Sequence, residues 1–86
     1  MPIYQAKNIY TLPSQRELFD LFFSKGLKSI TLCAIIATTF REQKFESIEK
    51  IEEALCTSLP NDVNNKVYST FYNALVHSAH FSREVS

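Results

Sequence analysis

An apolar side chain recurs at every fourth position over the last third of the chain. This stripe consists of Val63, Val67, Phe71, Leu75 and Ala79. Tyr68, Tyr72 and Val76 directly follow three of its members and widen the stripe. Neighbouring residues point to opposite faces of a strand, whereas a helix can carry them on one broad face. The pattern therefore predicts a long helix whose apolar side can face both a core and a second surface.

Signals at both ends define the first helix, which we predict at residues 14–25. Ser14 and Glu17 have the spacing of a capping box, in which each side chain satisfies the other residue's backbone N–H. Gly26, the only glycine in the chain, follows directly and suits the left-handed conformation that closes a helix. Leu18 and Phe22, four residues apart, give this helix a core-facing side.

Two more helices are predicted in the middle of the chain. Residues 28–41 are apolar nearly all round, which is typical of a central helix covered by its neighbours. The next helix begins at Ser47 and ends before Pro60, because the residue preceding a proline avoids helical geometry. The last helix is expected to begin near Asn61 or Asp62, both good N-caps. The predicted core consists of Leu18, Phe22, Leu32, Ile35, Ile36, Ile51, Leu55, Phe71 and Leu75.

The two ends of the chain lack a helical pattern. The N-terminal residues form an irregular or extended arm, and a strand there would need a partner in a second copy or in another protein. The tail after Phe81 is polar and is expected to fray. The predicted fold class is all-α: one domain over residues 1–86, with the arm at 1–13 and a compact bundle of about four helices at 14–83.

The charge balance limits the classes of partner. Lys+Arg and Asp+Glu number 9 each, so the formal net charge is zero. Non-specific binding to nucleic acid depends on a basic surplus, which this composition lacks. The longest apolar run, residues 30–40, is too short to span a bilayer. We therefore expect no membrane partner, and the lack of a signal-peptide pattern favours a cytoplasmic location.

The two cysteines are expected to be structural. The N-terminus lacks the basic and apolar regions of a signal peptide, which favours a reducing compartment. Cys33 and Cys56 each lie in an apolar helical context. They are predicted to be unpaired, buried and slow to react.

Candidate catalytic and metal-binding residues are few. His77, His80 and Glu84 have a spacing that one helical face can carry, but a metal site usually takes a ligand from a second element. Glu49 and Glu53 lie opposite the apolar face of their helix, and water there leaves carboxylates unsuited to acid–base catalysis. The sequence therefore predicts no catalytic residue, no metal, no cofactor and no enzymatic activity.

The last helix and the arm carry more large apolar and aromatic residues than one side of a helical bundle needs. This excess indicates a contact surface. Tyrosine is at home at interfaces, where its ring packs and its hydroxyl stays wet. The interface candidates are Tyr4, Tyr10, Tyr68, Tyr72 and Val76. They predict a non-catalytic helical binding module that acts through protein–protein contact or self-association as a homodimer. In the alternative, the arm folds back over the last helix and covers these tyrosines within one chain.

DNA binding is the second functional hypothesis. The third and fourth helices form a plausible helix–turn–helix pair. Polar side chains near the start of the fourth helix can reach base edges. The candidates are Asn61, Asn64, Asn65 and Lys66. Against this interpretation, the third helix is acidic and would be repelled by the phosphate backbone.

A family resemblance bears on this alternative. It is carried by Leu32 to Phe40, by Ser47-Ile48-Glu49-Lys50-Ile51 and by Ser69-Thr70-Phe71-Tyr72-Asn73-Ala74-Leu75. In layout these segments resemble the helical N-terminal region of DDE-type insertion-sequence transposases. The resemblance implies a non-catalytic domain, or a remnant of one, that binds element ends or pairs protomers. The catalytic domain of that family, with its three metal-binding carboxylates, has no counterpart in these residues.

Overall fold

The computed structural model describes the backbone of residues 6–85 and the side chains of residues 8–83. Within that range, four helices and three strands follow one another along the chain. They are β1 (Ala6–Thr11), α1 (Gln15–Ser24), α2 (Ile30–Phe40), β2 (Lys44–Phe45), α3 (Ile48–Ser58), α4 (Asn65–Ser78) and β3 (His80–Val85).

Each of the four predicted helices is present, and each begins at a side-chain cap. The oxygens of Ser14, Ser29 and Ser47 accept from the backbone N–H three residues on. Such caps satisfy donors that have no partner inside the helix. The predicted start of the fourth helix at Asn61 or Asp62 is wrong, since Asn64 is the cap and its Oδ1 accepts from the N–H of Val67 at 2.9 Å.

A three-stranded antiparallel sheet makes the all-α prediction incomplete. The strand order is β2-β1-β3, so the arm forms the central strand. The expectations that the arm needs a partner from outside the chain, and that the tail frays, are both wrong, because β1 pairs with β3 from Ala6↔Val85 to Thr11↔His80. The helical part also ends at Ser78 rather than at residue 83, because Ala79 has the extended dihedral angles φ −66° and ψ 130°.

The sheet attaches to the helices through one row of aromatic residues. Tyr10 lies directly opposite Phe45 on β2 and Phe81 on β3, so the three rings share one face of the sheet. Tyr10 and Phe45 pack against the helical core, and Leu12, the next residue on that face, is buried. Phe81 remains 48% exposed, with its ring centroid 5.2 Å from that of Tyr10.

One hydrophobic cluster links the helices and the strand ends. Seven of the nine residues predicted as core are buried, Leu32 is half-buried and Ile35 is exposed, so the prediction is wrong for Ile35. The buried residues are Leu12, Leu18, Phe22, Leu27, Cys33, Ile36, Ala37, Phe40, Ile51, Leu55, Leu59, Phe71, Ala74 and Leu75.

Replacing the glycine that follows α1 tests the helix ending. Gly26 has a φ of +90°, and a methyl group added there would meet no atom within 4 Å. Gly26→Ala is therefore expected to lower the free energy of unfolding by about 1 kcal/mol through backbone strain alone. Urea unfolding measures the change, with Lys25→Ala as the control at an ordinary φ of −87°. Equal stability of the two variants would contradict the left-handed ending.

Candidate functional site

The side of α2 that faces away from the core carries no charge. The helix has the sequence ITLCAIIATTF, without an acidic or basic residue. Cys33, Ile36, Ala37 and Phe40 are buried on its inner side. We use the name outer face of α2 for the six residues on the opposite side, which are Ile30, Thr31, Ala34, Ile35, Thr38 and Thr39.

Two large aliphatic side chains are exposed on the outer face of α2. Ile30 is 64% exposed and Ile35 is 46% exposed. Between and beside them are short side chains, and Ala34, Ile35, Thr38 and Thr39 line one shallow depression. Single exposed apolar residues are ordinary on protein surfaces, but charged residues are depleted at the centre of protein–protein contacts, and this face has none.

A hydrogen bond joins α1 to α2, and α1 carries one further exposed aromatic side chain. Gln15 Nε2 donates to Thr38 Oγ1 at 3.0 Å, which joins the start of α1 to the end of α2. The two helices also pack against each other. Phe23 is 40% exposed and packs edge-on against Phe19, with a centroid distance of 4.7 Å.

The tyrosines predicted as interface residues pack within their own chain. Tyr10, Tyr68 and Tyr72 are half-buried against the core cluster. Tyr68 and Tyr72 stack with centroids 6.5 Å apart. Val76 is also half-buried, but it is not among the residues that pack against the core cluster. Tyr4 lies outside the described residues.

Tyr68 also joins α4 to α3. Its hydroxyl lies 3.1 Å from Cys56 Sγ, within hydrogen-bond distance. This hydrogen bond is the main reason that the pKa of the Tyr68 hydroxyl is raised above its ordinary value, and burial and the nearby carboxylate of Glu52 add to it. The hydroxyl therefore keeps its proton and serves as a structural contact between the two helices.

The two thiols differ in exposure. Cys33 is buried, its Sγ donates to the carbonyl oxygen of Leu27 at 3.8 Å, and burial raises its pKa. Cys56 is exposed, so the prediction that both cysteines are buried is wrong for Cys56. The sequence context predicts burial of Cys56 because its neighbours Ala54 and Leu55 belong to the core-facing side of α3.

A thiol reagent should separate the two cysteines. In the native protein one thiol per chain is expected to react promptly, and the second only after denaturant is added, because the thiolate is the reacting form and burial disfavours it. Cys56→Ser should remove the prompt reaction, whereas Cys33→Ala should leave it. Prompt reaction of both thiols in the parent would contradict the burial of Cys33.

The residues suggested for DNA contact lie around the start of α4. Asn61, Asn65 and Lys66 are exposed, whereas the side chain of Asn64 is used as the helix cap. The acidic side chains of Glu49, Glu52 and Glu53 line one exposed surface of α3. A duplex that approached both helices of the pair would meet these carboxylates.

The histidines are not on one helical face. His77 is in the last turn of α4, but His80 belongs to β3. The side chain of Glu84 lies outside those described. Among the side chains that the structure describes, no three of His, Cys, Asp and Glu are grouped so as to hold a metal ion.

The helices within residues 6–85 are too short or too polar to cross a membrane.

No protein-family model matches the chain, and no curated protein or solved structure matches it either. The resemblance to insertion-sequence transposases thus depends on the sequence segments alone. The sequence reasoning missed the outer face of α2, although the signal was present. A helix that is apolar all round predicts cover on every side, whereas α2 has one exposed side.

Proposed function

We propose that the protein is a non-catalytic helical interaction module that self-associates through the outer face of α2. In this proposal, the face packs against the same face of a second copy. The observation that carries it is the exposure of Ile30 and Ile35 on a helix without a single charged residue.

Burial of this face is the expected source of affinity. Removing apolar surface from water contributes about 25 cal/mol for each Å². The core of a protein–protein interface is typically depleted of charged residues, as the outer face of α2 is.

A second copy is the partner that this composition favours. A two-fold interface brings the same patch together from both subunits, so the patch must be complementary to itself. A neutral apolar face meets that condition, whereas a face of one charge repels its copy. The formal net charge of zero also leaves no long-range repulsion between chains.

This proposal moves the interface away from α4 and the arm. Tyr10, Tyr68 and Tyr72 bury much of their surface against their own core, and the arm pairs with β3 of its own chain. Each of these tyrosines is exposed to a smaller fraction than Ile30 or Ile35.

DNA association has less support than self-association. Asn64 caps its own helix, and three carboxylates line the neighbouring α3. A DNA-binding domain would also show affinity that falls steeply with salt concentration. We expect fluorescence anisotropy with a labelled duplex to reveal no binding of that kind.

Sedimentation equilibrium over a dilution series tests the proposed function. At high concentration the mass should approach twice the 9.9 kDa of one chain, and it should fall to one chain on dilution. The same protein mixed with an unrelated carrier protein is the control for crowding. A single-chain mass at every concentration would overturn the proposal.

A further inference from the structure

We draw no further inference here: the strongest candidate, the outer edge of β3 beside the exposed side chains of Phe81 and Arg83, has no neighbouring strand within the described residues, and nothing in the structure shows what covers it.

Discussion

Phe71→Ala is expected to destabilise the protein by about 3–5 kcal/mol, because it removes a large ring from a fully buried site. The ring lies 4.9 Å from that of Phe22, edge to face, and joins α4 to α1. A domain of this size has a total stability on the order of 5–15 kcal/mol, so the loss threatens folding. Urea unfolding followed by circular dichroism measures it.

Ser69→Ala is the matched control for this change. Ser69 is exposed two residues earlier on the same helix, and its replacement should alter stability by less than about 0.5 kcal/mol. If Phe71→Ala and Ser69→Ala unfold at the same urea concentration, Phe71 is not part of the core.

Ile35→Glu is expected to abolish self-association and to leave the fold intact. The side chain is exposed in the single chain, so the charge stays in water until two copies meet. In the pair, the two carboxylates would lie in the interface and be desolvated without partners, which costs about 3–5 kcal/mol. That loss corresponds to a roughly 10²- to 10⁴-fold weaker association. Sedimentation equilibrium and circular dichroism together measure the two effects.

A charge of the same sign elsewhere should have no such effect. Ser69→Glu adds a carboxylate to an exposed position of α4, away from the outer face of α2. It should retain the parent's dimer mass. The interface is misassigned if Ser69→Glu dissociates the pair as fully as Ile35→Glu does.

The helices were predictable because their signals are local. Ser14, Ser47 and Gly26 mark helix ends within a few residues of the turns they close. Phe71 and Leu75 recur at helical spacing, and both are buried. Such features depend on neighbouring positions, so the sequence is sufficient to recognise them.

The sheet was not predictable in the same way because its pairing is long-range. Thr11 and His80 pair across almost the whole chain. His80–Val85 contains mainly polar residues, and β2 has only two residues, so neither has a strong strand pattern. What stabilises these strands is the pairing itself and the row of aromatic residues through Tyr10.

The candidate site was missed for a related reason. Periodicity shows that α2 is apolar, but only packing shows which side of it is covered. Ile35 and Ile36 are adjacent and chemically identical, yet one is exposed and the other is fully buried. Tyr68 and Tyr72, which the sequence predicts as interface residues, pack against the core of their own chain.

Methyl NMR across a dilution series tests the central claim most directly. Isoleucine methyl groups report from the outer face of α2 through Ile30 and Ile35, from β1 through Ile9 and from α3 through Ile48. We predict that the Ile30 and Ile35 signals shift together with concentration, following one dissociation constant, while those of Ile9 and Ile48 stay fixed. Concentration-independent signals throughout, or shifts confined to Ile9, would contradict self-association through the outer face of α2.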